Sequence, residues 1–128
     1  MRAWCIMRNM NKRIAFAASL LVLTLMTAHA QDIRKGLIMQ VKPDSIWFQD
    51  RAMLTRWQQL KAGGGEAFKT FQNEKLASRD AWQFTYPLKV RVTRYDAAGH
   101  QADVEMHTPG RMFGTPWLLD KSALEKSR

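Results

Sequence analysis

The chain has 128 residues, of which 46% are hydrophobic and 24% charged; this content suits one small apolar core, and the length is too short for two domains. Its single cysteine, Cys5, excludes an intrachain disulfide scaffold. The 20 Lys and Arg against 11 Asp and Glu give a net charge of +9 without a basic block or an aromatic-basic motif, so we expect no nucleic-acid partner.

The beginning of the chain has the order of a secretory signal peptide. A basic pair at 12–13 precedes an apolar run over 14–26, and the small residues Ala28 and Ala30 stand just before Gln31. A basic start, an apolar run and small residues at the cleavage site are the three parts of such a leader. The alternative is a retained membrane anchor, but a spanning helix needs about 20 apolar residues and this run is shorter. We predict cleavage between Ala30 and Gln31.

Cleavage at this point removes Cys5 and leaves residues 31–128 as one mature domain. The residues from Met10 onward already make a complete leader, so translation starts at either Met1 or Met10. The mature chain keeps 16 Lys and Arg against 11 Asp and Glu, a net charge of +5. Such an excess favours anionic partners. We expect a periplasmic or secreted protein with no stable membrane span.

Two short strands and two helices are predicted at the start of the mature chain. The strands cover 36–42 and 45–48, and a Pro-Asp turn separates them. The first helix begins after Asp50, whose side chain can cap it, and ends at the glycines 63–65. The second helix covers about 66–77, where the apolar residues share a broad face.

A β-hairpin is the clearest pattern of the mature chain. Apolar and polar residues alternate over 88–95 and again over 101–107, with turn residues between them. We predict a three-residue loop over 97–99, with Gly99 in the left-handed conformation. The resulting register has three cross-strand pairs: Val90–Met106, Arg91–Glu105 and Val92–Val104.

The C-terminal part is predicted to complete an antiparallel meander. A short extended piece at 112–113 and a last strand at 115–119 precede a helical turn over 120–124, and a frayed tail starts at about 125. The fold class is therefore α+β: an N-terminal strand, a helical hairpin insertion and a C-terminal β-meander. Short strands, tight turns and a single helical turn at the end resemble small SH3-like barrels over about 84–124. This resemblance concerns architecture and carries no function.

One strand of the hairpin brings two carboxylates and an imidazole to the same side. Asp103, Glu105 and His107 alternate along it, and this set of groups can bind a divalent metal or perform acid-base chemistry. The alternative is a solvated face on which Lys89 and Arg91 of the opposite strand pair with the carboxylates. We favour the solvated face and expect no metal and no other cofactor.

The segment 107–117 is the predicted interaction surface. It carries Arg111, Met112, Phe113 and Trp117 between two turns, and Arg, Met and aromatic side chains are enriched at the centres of protein interfaces. Trp117 is expected in the core, whereas Arg111 and Met112 are expected to be exposed.

These observations favour a small non-catalytic binding module of the bacterial cell envelope. Its partner would be another envelope protein or an anionic envelope component. The mature chain has no Gly-x-Ser-x-Gly motif, no cysteine, and histidines only at positions 100 and 107. The alternative function is a small periplasmic hydrolase or metal-dependent enzyme that uses the acidic and histidine face of the 88–107 hairpin.

Overall fold

The computed structural model describes residues 32–127. The predicted signal peptide and its cleavage site lie outside these residues. Within them, no helix is long and apolar enough to cross a membrane.

Seven strands and two helices follow one another along this part of the chain. In chain order they are β1 (Ile38–Val41), β2 (Ile46–Phe48), α1 (Arg51–Gly63), α2 (Glu66–Ala77), β3 (Ala81–Gln83), β4 (Leu88–Asp96), β5 (Gln101–Met106), β6 (Pro116–Asp120) and β7 (Leu124–Lys126), with a 3-10 turn, Lys121–Ala123, before β7. The strands form one antiparallel sheet in the order β3-β2-β6-β5-β4-β1-β7. The α+β class is confirmed. The sheet is open, with β3 and β7 at its edges, so closure into an SH3-like barrel is not confirmed.

The sheet is curved, as the connection between β1 and β2 shows. These strands are consecutive in the chain but four positions apart in the sheet order. Four spacings of a flat sheet would separate them by about 19 Å. Residues 42–45 connect the two strands. Five fully extended residues, from Val41 to Ile46, would span roughly 17 Å, and the turn within this connection makes the span shorter. Curvature brings the two strands close enough to be joined.

The curved sheet separates two apolar cores. In β2, Trp47 points to one face while Ile46 and Phe48 point to the other, as the two-residue period of a strand requires. The concave core has 14 buried residues: Ile33, Met39, Val41, Trp47, Leu88, Val90, Val92, Ala102, Val104, Met106, Trp117, Leu119, Ala123 and Leu124. The second core lies under the helices and contains Ile46, Phe48, Leu54, Trp57 and Ala81.

Both predicted helices are confirmed. The Asp50 carboxylate accepts a hydrogen bond from the Ala52 N–H at 2.8 Å, which caps α1. Gly64 ends this helix with a φ of 68°, and its N–H bonds to the carbonyls of Leu60 and Lys61. The second helix has no fully buried residue. Its position therefore depends on partly buried side chains and on the contacts of α1.

The predicted hairpin register is confirmed, but the predicted loop is wrong. Val90, Arg91 and Val92 pair with their expected partners on β5. The loop has four residues, 97–100, and His100, with a φ of 51°, takes the left-handed conformation predicted for Gly99. The extra loop residue would shift the pairing by one position. A β-bulge between Val92 and Arg94 restores it.

The C-terminal part differs from the prediction in two places. Residues 111–114 form a turn, so the expected extended piece at 112–113 is wrong. The segment 124–126 is β7 and pairs with β1, so the chain is ordered beyond the predicted start of the frayed tail at about 125. The expected helical turn is present as Lys121–Ala123. Strand β3, which the sequence pattern did not reveal, pairs with β2.

Candidate functional site

The predicted interaction segment is a loop between β5 and β6 that is closed at its base by backbone hydrogen bonds. The Met106 N–H donates to the Thr115 carbonyl at 2.9 Å, and the Gly114 N–H donates to the Met106 carbonyl at 2.8 Å. The Thr115 hydroxyl donates to the Met112 carbonyl at 2.6 Å. These bonds fix the loop and leave its outer residues to face solvent.

The four residues predicted for the interaction surface have different surroundings. Arg111 is exposed, and Met112 is partly buried against the concave core. Phe113 is 55% exposed, and its ring centroid lies 5.8 Å from that of His107. Trp117 is buried, as expected, and its indole N–H donates to the Thr115 hydroxyl at 2.8 Å.

Trp117 belongs to an aromatic cluster that brings together three parts of the chain. The cluster consists of Trp47 of β2, Trp82 of β3, Phe84 and Tyr86 of the following connection, and Trp117 of β6. The ring centroids of neighbouring members lie 5.2–6.4 Å apart in edge-to-face contacts, a geometry that aromatic rings prefer. We call this set the aromatic cluster.

Exposure increases across the aromatic cluster from the core to the surface. Trp47 is 1% exposed and Trp117 4%, whereas Trp82 is 38% and Tyr86 58% exposed. The buried rings therefore support an aromatic surface from below. Such a surface keeps its shape in water because its base is part of the core.

A cavity of about 260 Å³ lies beside Tyr86. We call it the Tyr86 cavity; it is lined by Tyr86, Leu88, Met106, Thr108, Pro109, Gly110, Arg111 and Met112. Tyr86 thus belongs both to the aromatic cluster and to the cavity wall. Of the four predicted residues, Arg111 and Met112 line the cavity and Trp117 lies in the cluster, while Phe113 does neither.

The sequence reasoning missed Trp82, Phe84 and Tyr86. They stand at alternate positions before the hairpin, and alternation of aromatic residues is itself a signal of an extended segment with one apolar side. The segment is short and ends at Pro87, so the alternation covers only three aromatic residues and is a weak signal. Its relation to Trp117 is set by the pairing of β2 with both β3 and β6.

The acidic and histidine face of the hairpin is occupied by arginine side chains. Both oxygens of Asp103 accept from Arg51 Nη2 of α1, at 2.7 and 2.8 Å, so the expected partner on β4 is replaced by one from the helix. Glu105 lies 3.5 Å from Arg91, and this predicted pair is confirmed. Among residues 32–127, no group of three His, Cys, Asp or Glu side chains could hold a metal ion.

A polar network attaches α1 to the hairpin. Its centre is Gln101, which is 6% exposed. The Gln101 amide oxygen accepts from Arg51 Nη1 at 2.9 Å, and its nitrogen donates to Thr55 at 2.9 Å and to Gln58 at 3.0 Å. All polar atoms of this buried side chain have partners, so the network orients the helix at little desolvation cost.

Asp120 ends the same network. Burial raises the pKa of this carboxyl, but hydrogen bonds from Ser122 and Gln58 outweigh burial, so the pKa of Asp120 is lowered. The Gln58 amide donates to Asp120 Oδ1 at 2.6 Å and also contacts the carbonyls of the hairpin loop. Asp120 is ionised at neutral pH and acts as an acceptor that holds the end of β6 to α1.

Comparisons of the chain with protein-family models, with curated proteins and with solved structures found no match.

Proposed function

We propose that this protein is an exported, non-catalytic binding module of the cell envelope, and that the aromatic cluster with the Tyr86 cavity is its binding surface. The main support for this proposal is that Trp82 and Tyr86 are exposed and lie on a base of buried aromatic rings. Tyr and Trp combine a large apolar area with a polar tip and are enriched at binding surfaces. Within residues 32–127 only these two and Phe113 are large, exposed apolar side chains.

The alternative enzyme, which would use the acidic and histidine face, receives less support. Asp103 accepts two hydrogen bonds from Arg51, and Glu105 is paired with Arg91. A catalytic or metal-binding carboxylate there would first have to separate from its arginine, and separating a charge-assisted pair costs more than breaking a neutral hydrogen bond. The aromatic surface requires no such rearrangement.

For the architecture, we propose an SH3-like barrel with an insertion. Five neighbouring strands, in the order β7-β1-β4-β5-β6, carry most of the concave core, and the 3-10 turn stands directly before β7. The insertion would be residues 42–87, which contain both helices. An experimental structure in which the five strands form a flat sheet would contradict this proposal.

Export has a direct test. We expect the full chain, expressed in a bacterial host, to be recovered outside the cytoplasm as a chain that begins at Gln31, with or without cyclisation to pyroglutamate. Intact-mass measurement distinguishes this product from the precursor. A recovered protein that retains residues 10–30 would contradict cleavage and indicate a membrane-tethered protein.

The binding surface is tested by Tyr86→Ala. We expect this substitution to weaken capture of the partner from an envelope extract by at least about tenfold, because central aromatic residues of interfaces often contribute 2 kcal/mol or more. Tyr86 is 58% exposed, so the variant should fold. Thr85→Ala, a change at an exposed position in the same connection, is the matched control and should leave capture unchanged. Equal capture by Tyr86→Ala and the unmodified protein would contradict the proposed surface.

A further inference from the structure

The Tyr86 cavity has a single charged residue in its lining. Its other lining residues are uncharged, and Arg111 is exposed beside them. None of the ion pairs formed within residues 32–127 involves Arg111. A guanidinium has five donors in a planar fork that matches a carboxylate. Charge complementarity therefore indicates an anionic group, such as a carboxylate, on whatever occupies this cavity.

The size of the cavity indicates a side chain of a larger partner. Its volume is about 260 Å³, whereas sites for complete small molecules usually measure about 300–1,000 Å³. Leu88, Met106 and Met112 make much of the wall apolar, and Met side chains adapt to different shapes. An apolar side chain next to an acidic one fits these walls.

The nearby edge of the sheet offers backbone hydrogen bonds to the same partner. Strand β3 is at the sheet edge and pairs only with β2, so its outer side has backbone groups that no strand covers. Its three residues, Ala-Trp-Gln, include neither a charge nor a proline, two of the features that protect a sheet edge. Gln83 and Tyr86 are three residues apart, at most about 11 Å. One extended segment can reach both the edge and the cavity.

We propose that the occupant is an extended segment of a partner protein that adds as a strand to β3, places an apolar side chain in the Tyr86 cavity and pairs an acidic side chain with Arg111. The inference rests on the proposed binding surface and specifies what that surface recognises. Addition of a strand supplies affinity through the backbone, and the cavity and Arg111 supply specificity.

A library of random 12-residue peptides displayed on phage tests the charge requirement. We expect the unmodified mature protein to select peptides with alternating apolar residues and an acidic residue, and Arg111→Glu to bind those peptides at least about tenfold more weakly. Arg111→Glu should instead select peptides with a basic residue. Arg56→Glu, which reverses an exposed charge on α1, is the matched control and should select the same peptides as the unmodified protein.

Methylation of peptide nitrogens tests the addition of a strand. Alternate N–H groups of an added strand point to β3, and the others point away. We expect methylation of one alternate set in the tightest selected peptide to abolish binding, and methylation of the other set to leave it within about threefold. Equal effects of the two sets would overturn strand addition.

Three further outcomes would overturn the inference. The first is no enrichment of peptides, and the second is selection of the same peptides by Arg111→Glu and the unmodified protein. The third is that the unmodified protein sediments with phosphatidylglycerol vesicles and the Tyr86→Ala variant does not. This result would identify a membrane as the partner. If Tyr86→Ala loses the partner from an envelope extract while Arg111→Glu retains it, the binding surface stands and only the acidic segment is wrong.

Discussion

Trp47→Ala is expected to lower the free energy of unfolding by about 3–5 kcal/mol, the usual loss when a buried aromatic residue is truncated. Trp47 is 1% exposed, and its ring lies 5.2 Å from Phe84 and 5.6 Å from Trp117 between centroids. Its removal leaves a cavity in the concave core and takes away the base of the aromatic cluster. Denaturant unfolding measures the loss.

Trp82→Ala is the matched control for Trp47→Ala. The two residues are partners in the β2–β3 register, but Trp82 is 38% exposed. We expect Trp82→Ala to lower the free energy of unfolding by less than half as much as Trp47→Ala. The reason is that truncation of a partly solvated ring removes less buried area and leaves no closed cavity. Equal losses for the two variants would mean that Trp47 is not a core residue, and the distinction between the base and the surface of the cluster would be wrong.

Trp57→Ala is also expected to lower the free energy of unfolding by about 3–5 kcal/mol. Trp57 connects three elements: its ring centroid is 5.7 Å from that of Phe48 on β2 and 5.6 Å from that of Phe68 on α2. Its indole N–H donates to Gln72 at 3.0 Å. Since α2 has no fully buried residue of its own, we expect its amides to lose protection in hydrogen exchange as well.

Trp57→Phe separates packing from the hydrogen bond. This substitution keeps an aromatic ring between β2 and α2 and removes the donor to Gln72. The free energy of unfolding should therefore fall by only about 0.5–1.5 kcal/mol for the lost hydrogen bond, plus a small loss from packing. Protection of the α2 amides should remain. A loss as large as that of Trp57→Ala would show that the hydrogen bond, and not the ring contacts, holds α2 in place.

The two cores explain how the binding surface and the helices can depend on different residues. Trp47 supports the aromatic cluster on the concave side, while Phe48, the next residue, supports the helices on the other side. Variants of the helical core should therefore leave the aromatic surface intact as long as the sheet is folded. This expectation makes Trp57→Phe a useful background for the binding experiments.

The sequence by itself determined the features that depend on neighbours in the chain. Asp50 and Gly64 mark the ends of α1 because capping is an interaction between residues a few positions apart. Alternation on two adjacent strands predicted which side of each strand is apolar. Val92 pairs with Val104 as predicted, although the loop has four residues and not the three from which the register was predicted, because a bulge compensates for the extra residue. The bulge beyond Val92 was not predicted. Strict alternation along β4 would place the Arg94 side chain in the core. In the observed register, Arg94 instead pairs with Asp103.

Only the tertiary structure decided which distant segments meet. Arg51 reaches Asp103 across 52 positions, and β7 pairs with β1 from the opposite end of the described residues. The aromatic cluster likewise combines residues of β2, β3, β6 and the connection after β3. Residue periodicity reports which side of a strand is apolar, but it contains no information about which strand lies beside it. The curvature of the sheet and its strand order supply that information, and with it the candidate binding surface.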